Sequence, residues 1–527
     1  VAEKAEVELA LDRPKDADLL YDQATSLIEG LLMNAPSSRV RSSMIGSMSE
    51  IYLGHFRLAW NYMHDGPKAF QIIENARGRA LLATLGSLEK FDSQIERSPP
   101  EIQITTLQSK LLHSRLSPNE TRRLLVQLDR AYDNEFPLLA DQNPQRPIQT
   151  KPVSLDYLRK QLGRGGTLVE YVLDATKSYA MEVTNTGLTI HSLRGRSEID
   201  ELTKKFLSAI RNNGDVSALG KELYKRLISE ALSQLPTSLI VVPDGSLHSI
   251  PFGALVDSNG TYLSQSVAVS SAPSATVYFK LRTVANPRPA TKPFLGVAYS
   301  PEITGPQLVA ASTRGLFDLR GADLRPLPFA REEVNKAAAI LGIGTVVLDG
   351  VGASERALKA QSLKDFKVIH VAAHAVGNEV EPDRAALVLA AGGDNEDGLW
   401  QAREISRTRL NADVIVLSAC ETGVGRLQGE EGVMNLARAF LTGGARSVLA
   451  SLWSVEDRST ATIMESFYEH LAVGFSVSEA LRQAQLDFIK DYGPKAQPNL
   501  WAGFEVIGDG TRSVNFGTNK TDIVSTR

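Results

Sequence analysis

The chain of 527 residues holds a single cysteine, Cys420. One thiol excludes an internal disulfide framework and a cysteine-based zinc site, and it fits a reducing, cytoplasmic compartment. Long apolar runs are also missing, and no stretch approaches the roughly 18 residues of a membrane span. Blocks of like charge are absent too. With 57 Lys and Arg against 61 Asp and Glu the net charge is -4, so neither nucleic acid nor an anionic membrane is implied as a partner. The chain opens Val1-Ala2-Glu3-Lys4, without initiator Met or apolar signal core, and reads as a processed or truncated start. What is present, 43% hydrophobic and 22% charged residues, is the balance of a globular protein. At this length two or three domains are expected.

Residues 1–142 read as helices. Ser117-Pro118-Asn119-Glu120 is a capping box with Pro at the first helical position. After the break at Asp65-Gly66-Pro67, small and large apolar residues from Ala69 to Leu82 fall at helical spacing. That alternation is similar to the second helix of a tetratricopeptide (TPR) unit; an ordinary helical domain accounts for it as well. Asn143-Pro144-Gln145-Arg146-Pro147 marks a linker. Beyond it three β-branched and aromatic runs, Thr167–Leu173, Ser178–Val183 and Leu188–His191, predict a β-meander. Short, uniformly apolar strands follow, separated by helical segments: Leu239–Val242, Phe294–Ala298, Thr345–Leu348, Val368–Val371, Val414–Leu417 and Ser447–Leu452. Such strands imply an α/β fold with a mostly parallel sheet covered on both faces. A second break at Ala285-Asn286-Pro287-Arg288-Pro289 divides this region into 150–290 and 291–511, with a flexible polar tail over 512–527.

In parallel sheets, sites form at the carboxyl ends of strands. His374 follows the strand through Val371, and Cys420 follows the strand through Leu417. A lone cysteine is by default a small buried hydrophobe, and a lone histidine a core residue. Two such residues at the ends of two strands instead supply a nucleophilic thiolate and an imidazole acid/base. Glycine-containing segments follow both, Ala375-Val376-Gly377-Asn378 and Glu421-Thr422-Gly423, and suit backbone N–H groups turned toward an oxyanion. No nucleophile elbow is present for a serine hydrolase. The glycines around Gly214 and Gly220 do not meet phosphate-loop spacing. His370 and His374 lie in a strand pattern with no Glu between them, so no metal and no cofactor is expected.

Val368-Ile-His-Val-Ala-Ala-His374, Leu417-Ser-Ala-Cys420-Glu-Thr-Gly423 and Gly429-Glu-Glu-Gly432 resemble the CHAT domain. So do Ser451-Leu-Trp453-Ser-Val-Glu-Asp457, Val241-Val-Pro-Asp-Gly-Ser-Leu-His248 and Asn499-Leu-Trp501-Ala-Gly-Phe504. The resemblance covers about 155–511 and implies a caspase-like cysteine endopeptidase of the caspase/separase clan, commonly preceded by TPRs. It implies His374 as catalytic histidine, Cys420 as nucleophile and the backbone N–H groups of Ala375 and Cys420 as oxyanion donors. Many relatives have Gly where Ala375 stands, and Ala serves equally only if φ is negative. His370 is assigned to structure. The half over 150–290, without a cysteine, is implied to be inactive. Glu456 and Asp457 lie where clan members build the P1 pocket and would favour P1 Arg or Lys; Asp457 is equally suited to cap the helix that follows. The stretch Gly425–Gly432 reads as a loop that orders on activation or as a solvated connection. A protein substrate and a regulatory protein bound to the helical region are the expected partners. The rival reading is a catalytically silent scaffold that keeps the fold for protein–protein interaction.

Overall fold

The computed structural model describes residues 1–33, 38–77, 98–113, 116–141, 152–163, 165–283, 289–300, 326–377, 382–390, 392, 396–418 and 430–517. The N-terminal region is helical, with helices Ala2–Ala10, Pro14–Met33, Ser38–Arg57, Gly66–Ala76, Pro99–His113 and Pro118–Asp141. Their starts follow the expected chemistry. Asp65 Oδ1 accepts the Lys68 N–H at 2.9 Å, with Pro67 in the first turn. At Ser117 the capping box closes both ways: its N–H donates to Glu120 Oε2 at 2.9 Å, and the Glu120 N–H donates to Ser117 Oγ at 3.4 Å. The helix predicted from Ala69 onward ends at Ala76, and 78–97 lie outside the described residues.

The strands are β1 (Gly166–Val172), β2 (Tyr179–Val183), β3 (Leu188–Ser192), β4 (Ser238–Val242), β5 (Ala268–Ser271), β6 (Lys292–Ala298) and β7 (Val346–Asp349). They continue with β8 (Phe366–Ala372), β9 (Ala375–Val376), β10 (Ala386–Val388), β11 (Leu399–Gln401), β12 (Val414–Leu417), β13 (Ser447–Ser451) and β14 (Phe504–Gly508). They form one sheet in the order β3-β2-β1-β4-β5-β14-β13-β12-β8-β6-β7 and a small sheet β11-β10-β9. In the large sheet pairing is parallel except within the β1–β3 meander and between β13 and β14. The predicted mostly parallel α/β architecture and the meander are therefore present.

Both halves of the α/β region belong to this one sheet, because β14 crosses back and pairs with β5 at Ile507 and Ser271. Since β14 runs against β13 and along β5, the carboxyl ends of β6, β8, β12 and β13 share one edge. Those of β1, β4 and β5 share the opposite edge. All but Pro289 of the expected break lies outside the described residues. The stretch from 512, predicted as a tail, begins packed: Val514 is buried, and Val477 N–H donates to the Arg512 carbonyl at 3.0 Å.

Helices Arg196–Arg211, Ala330–Leu341, Asp457–Ala472 and Val477–Tyr492 bury one sheet face around Phe206, Val334, Phe467 and Phe488. The other face is covered in the second half by Leu358, Phe440 and Leu441, and in the first half by the N-terminal helices through Phe56, Phe70 and Ile73. Glu74 fixes that last contact. Its carboxylate accepts the N–H groups of Ala275 and Thr276 at 2.9 and 2.7 Å, capping the helix Ala275–Thr283 from another part of the chain. Beside it Arg77 reaches Glu170 at 2.9 Å and the Tyr171 carbonyl at 2.6 Å. Burial and the Glu74 charge push the Glu170 carboxyl well above its usual range, against the opposing Arg77.

Candidate functional site

The side chains of β8 alternate as a strand buried on both faces requires. Val368 and Ala372 join the core under the helices Ala330–Leu341 and Asp457–Ala472, whereas Ile369, Val371 and Ala373 join the opposite core with Phe440. His370 shares the first face and is fully buried. Its Nδ1 lies 3.0 Å from the Tyr468 hydroxyl, its Nε2 lies 2.9 Å from Glu333 Oε1, and its ring stacks on Tyr468 at 5.7 Å. Burial and the Glu333 charge hold the Tyr468 hydroxyl well above its ordinary value. These contacts make His370 a strut between sheet and helices.

His374 stands two residues beyond β8 at the carboxyl edge and is buried, with 1% exposed. Its carbonyl accepts the Val388 N–H at 2.8 Å, so the backbone at the imidazole is tied to β10. That bond makes Ala375 and Leu387 a non-hydrogen-bonded antiparallel pair, in which the Ala375 N–H points away from β10. Among the described residues, the non-glycine positions with positive φ are Asp12, His64 and Asn213. Ala375 is not one of them, so the condition for Ala in place of Gly is met.

In the neighbouring strand Leu417 lies opposite Val371, and Ser418 continues the ladder by donating its N–H to the Val371 carbonyl at 3.1 Å. His374 and Cys420 each stand three residues past this pair. Cys420 itself, with the rest of 419–429, lies outside the described residues. Residues 425–429 of the predicted Gly425–Gly432 loop lie outside them too, and its last three residues are not loop but open the helix Glu430–Thr442. Near this edge Ser418 Oγ, Ser451 Oγ and Thr460 Oγ1 are buried without a hydrogen-bond partner among the described residues. Sequence reading missed these hydroxyls, although the two serines are the first polar residues to break or end the apolar runs of β12 and β13.

The expectation that Asp457 caps its own helix is not met. The helix begins at Asp457 itself, so the capping position falls to exposed Glu456, whose Oε2 accepts the Ser459 hydroxyl at 2.8 Å. The half-buried Asp457 carboxylate instead accepts the Phe329 N–H at 2.8 Å, at the start of the helix Ala330–Leu341. Burial raises the Asp457 pKa, opposed by that hydrogen bond and assisted by the charges of Glu333 and Glu456.

The small sheet behind His374 is clamped on two sides. The hairpin of helices Pro99–His113 and Pro118–Asp141 packs Ile104, Leu107, Leu124 and Leu128 against Val376, Val388 and Leu399. Tyr132 closes this contact, with the Arg384 guanidinium 4.0 Å from its ring and its hydroxyl 3.0 Å from Gln108 Nε2. Beneath, Glu355 Oε2 accepts the Gly398 N–H at 2.9 Å, and Lys359 Nζ contacts Glu355, Glu396 and Glu404 at 2.5, 3.1 and 3.3 Å. Burial and the charges of Glu404 and Asp397 push Glu355 up to about 9. The described group with metal-like spacing, Asp18, Asp22 and His55, lies in the helical region, and Lys68 Nζ stands 2.5 Å from Asp18 there. Among the described residues no helix is long and apolar enough to cross a membrane.

Tetratricopeptide repeat protein 28 of Homo sapiens is 27% identical over 307 residues, which is 51% of this chain and 12% of that protein. Its Mus musculus counterpart is 26% identical over 313 residues, with the same coverage. The chain thus matches only about an eighth of the length of these relatives. Among solved structures, the Saccharomyces cerevisiae separase–securin complex aligns with 96% of this chain and 46% of its own at 11% identity and a TM-score of 0.41. The Arg-specific cysteine proteinase gingipain R aligns with 57% of this chain and 68% of its own at 13% identity and a TM-score of 0.35. The CHAT-domain family model matches residues 217–509, more than half of the chain, and the protein belongs to that family.

Proposed function

We propose that the protein is a cysteine endopeptidase with Cys420 as nucleophile and His374 as acid/base, acting on protein substrates and regulated through its helical region. The observation that supports this reading is the register of β8 on β12, whose last pair, Val371 and Leu417, precedes His374 and Cys420 by three positions each in the sequence. In the reaction, the Cys420 thiolate adds to the scissile carbonyl carbon and the carbonyl oxygen becomes an oxyanion. The N–H groups of Ala375 and Cys420 stabilise that oxygen, one such donor contributing about 3 kcal/mol. The His374 imidazolium gives its proton to the leaving amine as the C–N bond breaks. Neutral His374 then takes a proton from water, whose hydroxide displaces the thiolate from the thioester. Glu456 and Asp457, with the buried hydroxyls of Ser418, Ser451 and Thr460, would receive the P1 side chain. The clamp of the helical hairpin on the small sheet supports regulation from the helices, because the same sheet holds the His374 backbone.

A second reading is favoured by the names of the mammalian relatives, which speak of repeats and not of peptide hydrolysis: a silent scaffold that binds partners through its helices. Cleavage profiles of a whole proteome separate the two. Fragments produced by the wild type should disappear with Cys420→Ala and with His374→Ala, each folded by circular dichroism. Cleavage that persists in either variant rejects the assignment, and a partner-bound wild type that cleaves nothing selects the scaffold.

A further inference from the structure

We propose that Tyr468, His370 and Glu333 are positioning residues: from the core they fix the Asp457 carboxylate, and so govern acceptance of Arg or Lys at P1. This rests on the peptidase reading, with Asp457 in the P1 pocket. Four elements meet at His370, in the middle of β8. Tyr468 of the helix Asp457–Ala472 stands 3.0 Å from its Nδ1 and stacks on its ring. Glu333 of the helix Ala330–Leu341 comes within 2.9 Å of its Nε2, a close contact not aligned as a hydrogen bond. Phe294 of β6 meets the ring edge-on at 6.2 Å. Tyr468, His370 and Glu333 are each at most 2% exposed. Such a cluster adds little stability over apolar residues of equal volume. It does fix how strand and helices sit, since each buried polar atom has to find its partner.

From His370 the contacts run to Asp457 along two routes and close on themselves. One passes through Glu333, whose N–H donates to the Phe329 carbonyl at 2.9 Å, while the Phe329 N–H donates to Asp457 Oδ2 at 2.8 Å. The other passes through Tyr468, which lies eleven residues beyond Asp457 in one helix. Eleven residues make about three turns, so the two side chains leave the same face of that helix. A closed ring of contacts, anchored on the sheet, therefore holds Asp457. His374 is not a member of it. At the surface Lys336 joins Glu332 and Glu465 at 2.9 and 2.8 Å across the same two helices, but exposed pairs of this kind hold little. The charge of Glu333 also reaches Asp457. Burial raises the Asp457 carboxyl, and the charges of Glu333 and Glu456 raise it further, against the Phe329 hydrogen bond.

Two measurements on the full chain test this. Hydrogen exchange at the Phe329 amide reads the coupling without any turnover. His370→Leu and Tyr468→Phe should each speed it about fivefold, as for one lost hydrogen bond. Should His370→Leu fail to fold, Tyr468→Phe, which removes a single hydroxyl, decides alone. Steady-state kinetics on peptides read the consequence. In both variants KM for substrates with Arg or Lys at P1 should rise by a similar factor, while kcat and substrates with an uncharged P1 residue are spared. Glu333→Gln keeps the shape of the side chain and removes its charge, so the Asp457 carboxylate stays ionised further into acid. Its kcat/KM for cationic P1 residues should persist to lower pH than in wild type, a shift that a merely structural role would not produce. Phe329 exchange at the wild-type rate in Tyr468→Phe, or faster exchange with an unchanged ranking of P1 residues, overturns the proposal. A wild type that cleaves nothing rejects the peptidase reading and with it the P1 role, while the exchange rates still decide whether the ring of contacts holds Asp457.

Discussion

The Val388 N–H donates to the His374 carbonyl at 2.8 Å, so the backbone that carries the imidazole is held by β10 of the small sheet. That sheet is only two to three residues deep in each strand and depends on the helical hairpin laid over it. Removing Tyr132 should therefore be felt at His374. Tyr132→Ala deletes a half-buried ring stacked on Arg384 and should destabilise the chain by about 3 kcal/mol in urea unfolding. Tyr132→Phe, which keeps the ring and loses the bond to Gln108, should lose about 1 kcal/mol. If peptidase turnover falls with Tyr132→Ala more than the unfolded fraction explains, the hairpin acts through His374. Equal turnover per folded molecule would remove that coupling.

Most of the large sheet was legible because its strands are buried on both faces. Val414-Ile-Val-Leu417 or Leu239-Ile-Val-Val242 has few other conformations in which every side chain leaves water. β5 and β14 were not legible for the same reason in reverse. Ala268-Val-Ser-Ser271 is half polar, and β14 carries Glu505 amid its apolar residues, so neither shows a clean period. β9 to β11 are too short to have a period at all. At the candidate site the strand ends bearing His374 and leading to Cys420 could be read from the apolar runs before them. The role of Asp457 could not, because its partner, the Phe329 N–H, is more than a hundred residues away.

The Glu355 carboxyl beneath the small sheet gives a signed pH dependence. Its folded pKa is raised to about 9 by burial and by Glu404 and Asp397, from an ordinary value of 4.5. A raised acid pKa means the folded state keeps a proton that the unfolded chain releases. Its effect is absent below the unfolded value, and stability falls progressively as pH rises from 4.5 toward 9. Replacing Glu355 by Gln removes the titration and keeps the shape. The variant should therefore gain stability relative to wild type as pH rises across that window. Thermal midpoints of both proteins at acid, neutral and alkaline pH check the slope, and parallel curves would refute it.

Glu74 ties the helical region to the α/β region by capping the helix Ala275–Thr283. Glu74→Ala strands two buried backbone N–H groups, at about 1 to 3 kcal/mol each. It also withdraws the like charge that helps raise Glu170. Limited proteolysis should then release the N-terminal helices faster while the large sheet stays resistant. Release at the wild-type rate would show that the apolar contact of Phe56, Phe70 and Ile73 suffices alone.

The contact of Asp457 with Phe329 and its proposed contact with a P1 side chain can be tested separately. The Asp457 carboxylate accepts one backbone N–H through Oδ2, and a cationic substrate group would be met by Oδ1. Asp457→Asn keeps an acceptor for Phe329 and removes the charge. A charge-assisted hydrogen bond contributes about 1.5 to 3 kcal/mol, so kcat/KM for substrates with Arg or Lys at P1 should drop about 10- to 100-fold. Substrates with an uncharged P1 residue should be much less affected, and the melting temperature should barely move. If instead stability falls and all substrates slow together, Asp457 serves the Phe329 contact and the P1 pocket is built elsewhere. Profiling a peptide library with both enzymes distinguishes these outcomes in one measurement, because the first changes the ranking of P1 residues and the second only the overall rate.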